Sequence, residues 1–365
     1  MFFFNIFSLF TQTLVLTLVF IVNLASFGQG LESPINATHS QTWYANQVDV
    51  TFKKINSATE ENQAAKLYEQ YFFLEYGSRS QNTGVIPKET ENRLKSIFFE
   101  LKTNHPNSFE CQHLTFHRHQ GDIKYFENLK KAASFNRNQT SIQIDYVGYY
   151  ESIGDPQNKK QHCISLKPQI SQATLEYNYN VLMSLGKDAI LITNGISDTY
   201  PIWVLQEVDN IRKDVTVLNT QLLENEAYRE RKFKELELSL PKYNLNGSDL
   251  VDQIIEKNKT VNLYLSLTCP KNSLKNNSKD LFIQGLAYET NPTKTLLESN
   301  WKKFKADYRT DLSASLLNTN YLIPLISLHN HYKALGDVSN QNAIYSELRI
   351  ICKQLPNGTE LLKGF

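Results

Sequence analysis

Asn194-Gly195-Ile196-Ser197-Asp198-Thr199-Tyr200 is the stretch of this 365-residue chain whose side chains are best suited to chemistry. Gly195-Ile196-Ser197-Asp198 invites comparison with a nucleophile elbow, in which a serine sits on the turn between a strand and a helix. The elbow requires Gly-x-Ser-x-Gly, however, and position 199 is threonine. No histidine follows until His329, so the residues of a Ser-His-acid triad do not assemble from this segment. Asn194, Ser197, Asp198, Thr199 and Tyr200 stand instead as candidate ligand-binding residues, an amide, a carboxylate and hydroxyls gathered in one polar loop. The competing reading gives them loop hydrogen bonds, with Asp198 or Thr199 as helix cap. Asp198 is the best single carboxylate, but glycoside hydrolysis needs two.

A second group of chemically capable residues is Cys111, His113, His117 and His119. His113 and His117 are four apart and could share one helix face as zinc ligands do, yet no HExxH pattern accompanies them. Packing histidines are the expectation, and no metal is assigned. The chain has no Walker loop and no Gly-x-Gly-x-x-Gly, so no nucleotide or dinucleotide cofactor is expected. With 38 basic and 37 acidic residues interspersed, the formal net charge is +1, which offers no basic face to nucleic acid. Trp203, one helical turn from Glu207, could stack on a sugar, but tryptophan beside a sheet belongs more often to the core.

The loop must be positioned by its flanks. Ala189 to Ile192 is a short uninterrupted apolar run, as in a strand covered on both faces, and Val215, Val217 and Leu218 form a second. Between them Pro201 suits a helix's first turn, and Ile202, Leu205 and Val208 recur at helical spacing. The loop therefore follows a strand's carboxyl end and precedes a helix's amino end, where open α/β sheets bind ligands. This motif belongs to a unit expected at 168–293, with a helix from Leu175 to Leu185, another from Glu224 to Glu237, and strands at Val261 to Leu267 and Leu281 to Tyr288, the latter with a bend or bulge at Gly285.

Residues 41–167 and 294–365 read as helical. Phe116-His117 precedes Gly121-Asp122 and Tyr149-Tyr150 precedes Gly154-Asp155 at the same offset, 33 residues apart, and His331-Tyr332 precedes Gly336-Asp337 likewise. That period is close to the tetratricopeptide repeat of about 34 residues, whose stacked hairpins present extended binding surfaces. Phe116, Tyr149, Tyr150 and Tyr332 are accordingly candidate protein-binding residues. The fold class expected is mixed and mainly α, a central α/β unit with a small parallel or mixed sheet flanked by tetratricopeptide-like hairpins. Residues 1–28 carry no charge and include an apolar run ending in small residues, which reads as a signal peptide or, if uncleaved, a membrane anchor. A linker follows at 29–40. Four widely spaced cysteines fit buried thiols slightly better than disulfides.

The central segment Ala189–Val208, continued by Arg212-Lys213-Asp214-Val215 and Leu218-Asn219, resembles the soluble extracytoplasmic part of a family of multi-pass membrane proteins related to protein O-mannosyltransferases. Gln284 and Leu286-Ala287-Tyr288 are similar to a later segment of the same family. Ile196 and Ser197 depart from the family's acidic and amide residues, and its membrane-embedded transferase half has no counterpart here. The resemblance implies the fold without the transferase activity. The function expected is that of a non-catalytic exported envelope protein, periplasmic or envelope-associated, scaffolding other envelope proteins. The alternative is a carbohydrate-binding or glycosylation-accessory protein that uses Asn194–Tyr200 on a glycan.

Overall fold

The computed structural model describes residues 41–55, 60–79, 85–119, 122–135, 140–241, 245, 247–290, 316–353, 355 and 358–363. The segments 1–28 and 29–40, Gly121 and residues 294–315 of the region expected to be helical lie outside the described residues. Among the described residues the chain is mainly helical, with one small mixed sheet and helices packed as hairpins, as the sequence predicts.

Helices α1 (Gln41–Ile55), α2 (Glu60–Arg79), α3 (Lys88–Asn104) and α4 (Phe109–His117) enclose a core of their own, built around Trp43, Phe72, Leu94, Leu101 and Leu114. The histidines of α4, and His119 just beyond it, are hydrogen-bonded within the protein. His113 Nδ1 lies 2.7 Å from the Tyr68 hydroxyl and its Nε2 lies 2.7 Å from Asp145 Oδ2. His117 Nε2 meets Glu75 Oε2 at 2.8 Å. His119 Nδ1 bonds the Thr115 carbonyl at 2.8 Å, and its ring stacks on Tyr125. Among the described residues no group of three or more His, Cys, Asp or Glu side chains is placed to hold a metal.

Next come α5 (Phe126–Phe135), α6 (Thr140–Ile153) and α7 (Pro156–Leu166). The Gly-Asp pairs make the turns. Gly154 stops α6 with a left-handed φ of +77°, which costs glycine nothing, and Asp155 accepts the Asn158 N–H at 3.1 Å to cap α7, with Pro156 at its first position. Far along the chain the same device joins α14 (Leu322–Leu335) to α15 (Val338–Cys352): Gly336 has φ +69° and Asp337 accepts the Asn340 N–H at 3.1 Å. Asp122 likewise accepts the Lys124 N–H at 3.0 Å.

The sheet runs in the order β2-β1-β3-β5-β4, formed by β1 (Ile190–Thr193), β2 (Thr216–Asn219), β3 (Leu263–Ser266), β4 (Phe282–Gln284) and β5 (Ala287–Glu289). β1 pairs parallel with β2 (Leu191 opposite Val217) and with β3 (Leu191 opposite Tyr264), while β5 is antiparallel to β3 and to β4. The single strand expected from Leu281 to Tyr288 is in fact the hairpin β4–β5. Gly285, at φ +56°, reverses the chain, and the Leu286 N–H is fixed by Ser184 Oγ at 2.9 Å. The connecting helices are α8 (Gln172–Met183), α9 (Tyr200–Asp209), α10 (Thr220–Leu223), α11 (Glu226–Glu235), α12 (Gly247–Lys257) and α13 (Lys271–Asn276).

One continuous core joins the sheet to the helices before and after it. It runs from Ile144 and Val147 of α6 through Leu191, Trp203 and Leu265 to Leu325 and Leu348 of α14 and α15. Polar ties reinforce the join, since Asn180 Nδ2 donates to the Tyr321 hydroxyl at 2.8 Å and Asn320 Nδ2 to the Tyr177 hydroxyl at 3.0 Å. All four cysteines are buried thiols without disulfide bonds. Among the described residues no helix is long and apolar enough to cross a membrane.

Candidate functional site

β1 leads through α9 to β2 on one side of itself, and β3 then arrives on its other side. The gap between the carboxyl ends of β1 and β3 is thus the topological switch point of the sheet, where this class of fold has room for a ligand. The loop Asn194–Thr199 lies there, facing the Leu267–Cys269 segment that follows β3.

Most of the loop's polar groups are spent on the loop itself. The Asn194 side chain bridges three segments, with Nδ2 donating to the Thr268 carbonyl at 3.0 Å and Oδ1 accepting the Thr220 hydroxyl at 2.8 Å. The Thr199 hydroxyl donates to the Gly195 carbonyl at 2.7 Å; with its proton so used, it accepts from Asn219 Nδ2 at 2.9 Å and from the Thr193 hydroxyl at 2.7 Å. Ser197 is buried, and its carbonyl accepts Asn178 Nδ2 at 2.9 Å.

Asp198 departs from the helix-cap reading. Thr199 occupies the N-cap position of α9 and makes no side-chain cap bond. Asp198 reaches backward and sideways, its Oδ2 accepting the Asn194 N–H at 2.9 Å and the Thr268 hydroxyl from the neighbouring strand's loop. Its other oxygen, Oδ1, is buried with no hydrogen-bond partner, on a residue 1% exposed. Gly195, at φ +104°, turns the backbone beside it; a Cβ there would stand 3.9 Å from Oδ1. Burial pushes the Asp198 carboxyl up to about 6, against the opposing effect of the Thr268 and Asn194 hydrogen bonds. A carboxyl in that range can accept or release a proton near neutrality. The groups that hydrogen-bond it are the Thr268 and Ser266 hydroxyls and the Asn194 N–H, none of them a base, so among the described residues no acid–base pair is assembled around it.

The shift has a measurable consequence. The folded carboxyl binds its proton more tightly than the unfolded one, so stability falls as pH rises from 3.8 to about 6 and is level above. The span corresponds to about 3 kcal/mol. Asp198→Asn is expected to flatten this segment of a stability-against-pH curve measured by chemical denaturation. A wild-type curve already flat there would show that water reaches the carboxyl.

Tyr200 and Trp203 close the inner side. Both are buried, edge to face with ring centroids 5.1 Å apart. The Lys159 ammonium stands over the Trp203 ring at 4.7 Å, so this tryptophan packs in the interior and offers no sugar platform. Tyr200 also touches α6, since a Cβ built on Gly148 would lie 2.6 Å from the Tyr200 hydroxyl oxygen. Gly148→Ala should therefore cost about 1–3 kcal/mol by overpacking. Combining it with Tyr200→Phe, which deletes that oxygen, should recover most of the loss in a double-mutant cycle, whereas strict additivity would place the clash elsewhere.

The motif's other residues have structural work. Gln206 Nε2 donates to the carbonyls of Arg212 (3.0 Å) and Val215 (2.7 Å), closing the turn into β2. Glu207 lies 3.5 Å from Lys159. Phe116 and Tyr149 are buried, and Phe126 stacks on Tyr149 at 4.2 Å. Tyr150 and Tyr332 are half-buried, Tyr332 against the main core. The sequence reading missed Thr268, Thr220 and Asn178, which complete the loop's hydrogen bonding. The position of Thr268 just beyond the carboxyl end of a parallel strand was the available cue.

With this geometry in view, residues 174–232 match the family model described as TMEM260-associated domain 2. The match covers most of α8, the β1–loop–α9–β2 unit, α10 and most of α11, in agreement with the resemblance carried by the central motif. No curated protein and no solved structure matches the chain.

Proposed function

We propose that this chain is a non-catalytic, exported protein of the cell envelope, periplasmic or envelope-associated, that scaffolds other envelope proteins through its helical layers. The distribution of exposed apolar surface supports this reading. Of the eleven large hydrophobic side chains exposed among the described residues, seven lie between residues 41 and 167, with Phe52 at 57% and Phe99 at 71%. Helical hairpins that expose aromatic side chains suit a protein partner. The α/β unit then serves as the hub on which the hairpins are mounted. In a crosslinked pull-down from intact cells, Phe52→Ser/Phe99→Ser should lose a fixed envelope partner that the unaltered chain retains. Equal recovery by both would count against the scaffold.

A second reading is favoured by Asp198 Oδ1, a buried acceptor without a donor, together with the TMEM260-associated domain match. In it the chain is a carbohydrate-binding or glycosylation-accessory protein whose Asn194–Tyr200 loop admits a glycan hydroxyl as the missing donor. Loss of glycan retention on an array by a folded Asp198→Asn variant would favour it over the scaffold.

A further inference from the structure

At the opposite end of the sheet from the Asn194–Tyr200 loop, a cleft of about 690 Å³ opens between α12, the segment after α13 and the start of β4. Its placement follows from the register: Phe282 lies opposite Glu289, and the Thr290 N–H donates to the Leu263 carbonyl at 2.9 Å, at the amino end of β3. The volume falls within the range of about 300–1,000 Å³ typical of small-ligand sites. We propose that this cleft binds a neutral oligosaccharide.

One wall is held in place from within. Asp252 accepts Asn276 Nδ2 at 2.9 Å on one oxygen and Asn277 Nδ2 at 2.8 Å on the other, tying α12 to α13. Asn277 Nδ2 also donates to the Ser273 carbonyl at 2.8 Å, so both its protons are used and its side-chain oxygen remains an acceptor. Around this floor stand the carboxylates of Glu256 and Asp280 and the ammonium groups of Lys259 and Lys279, with Phe282 presenting 36% of its surface.

The lining selects the ligand by exclusion and by match. Charged and amide walls disfavour an apolar ligand. Three carboxylates against two ammonium groups give neither a polyanion nor a polycation a dominant partner. A sugar hydroxyl both donates and accepts, so interleaved acceptors and donors can satisfy neighbouring hydroxyls on one ring. The C–H face of a pyranose has the flat apolar character that packs on an aromatic ring such as Phe282. This site shares no residue with the Asn194–Tyr200 loop, and its assignment rests on neither functional reading above.

Calorimetry and saturation-transfer NMR on the full chain would test it with maltotriose, cellotriose and mannotriose as neutral probes, trigalacturonic acid as an anionic one and trialanine as a zwitterionic one. At least one neutral trisaccharide should bind at millimolar or lower concentration, with affinity about tenfold weaker in Phe282→Ala and in Lys279→Ala. Both side chains are exposed, so the thermal midpoint should stay unchanged in these variants. Asp198→Asn should leave this affinity as it is, which separates the cleft from the loop. Absence of binding by all three neutral sugars, indifference to Phe282→Ala, or tighter binding of trialanine or trigalacturonic acid would overturn the proposal.

Discussion

Glu151→Ala is expected to lower the free energy of unfolding by about 3 kcal/mol, near the bottom of the range of about 3–5 kcal/mol for breaking a buried ion pair. Glu151 is 7% exposed at the join between the helical layer and the sheet. Its Oε2 meets Lys159 Nζ of α7 at 2.7 Å, and its Oε1 meets Lys232 Nζ of α11 at 2.9 Å and the Tyr228 hydroxyl at 3.3 Å. Its backbone carbonyl also accepts Arg231 Nη2 at 2.7 Å. Removing the carboxylate strands two ammonium groups in a poorly hydrated place. Lys159 keeps Glu207 at 3.5 Å and Lys232 keeps Glu235 at 3.6 Å, which is why the lower end of the range applies. Hydrogen exchange in α6 and α7 should quicken in the variant, because these helices lose their polar tie to α11. A loss below about 1 kcal/mol, the value of an exposed pair, would show that packing alone holds the join.

The same cluster gives a pH signature of opposite sign to that of Asp198. Burial opposes ionisation of Glu151, but Lys159 and Lys232 outweigh it and hold the carboxyl below its ordinary range. A carboxyl lowered by folding contributes stability that is complete above the unfolded value of 4.5 and is lost as pH falls through the folded one. Acid should therefore loosen the helix-to-sheet join while protonated Asp198 favours the loop.

Arg212→Ala should cost about 2–3 kcal/mol, chiefly through hydrogen bonds from a charged donor. Arg212 clips the end of α8: Nη1 donates to the carbonyls of Leu182 (2.8 Å) and Leu185 (3.0 Å), and Nη2 to that of Gly186. Nε and Nη2 also form a fork on Asp214 at 2.9 and 2.8 Å, and these hydrogen bonds hold the Asp214 carboxyl down at about 2. The Arg–Asp pair is partly open to solvent and adds little; the carbonyl bonds carry the expected cost. Arg212 also sits at φ +45°, a left-handed conformation unfavourable to a residue with a Cβ. Arg212→Gly should therefore lose about 1 kcal/mol less than Arg212→Ala in urea unfolding. Equal losses would remove backbone strain from the explanation.

The parts of the fold that were legible in the sequence are those with local causes. β1, α9 and β2 announce themselves by two apolar runs around a helical period that opens on Pro201. The Gly154-Asp155 and Gly336-Asp337 turns are visible because glycine supplies the left-handed stop and aspartate the next cap within two adjacent residues. The β4–β5 hairpin reads in sequence as one bent strand, since each arm is only three residues long and Gly285 alone marks the reversal. Asp198 shows the same limit at the candidate site. Its residue type and place beside a helix suggest a cap, yet it bonds to Thr268, seventy residues onward, a partner that only the parallel pairing of β1 with β3 brings within reach. Arg212 carries no local pattern that marks it as the clip on α8.

These ties commit most polar groups of the loop at the sheet's switch point to structure, which supports the proposed role of the α/β unit as a hub. Asn194 and Thr199 have their side-chain polar groups hydrogen-bonded, and Asp198 has one of its two oxygens bonded, all within the chain. Among the described residues the most exposed aromatic side chains, Phe99, Phe52 and Phe135, lie instead on the helical layers. The most direct test installs a photo-crosslinking side chain at position 99 in one variant and at position 196 in another, followed by irradiation of intact cells and mass analysis of the adducts. The scaffold account predicts one recurrent protein adduct at position 99 and none at position 196. A glycan or protein adduct at position 196 with none at position 99 would contradict it.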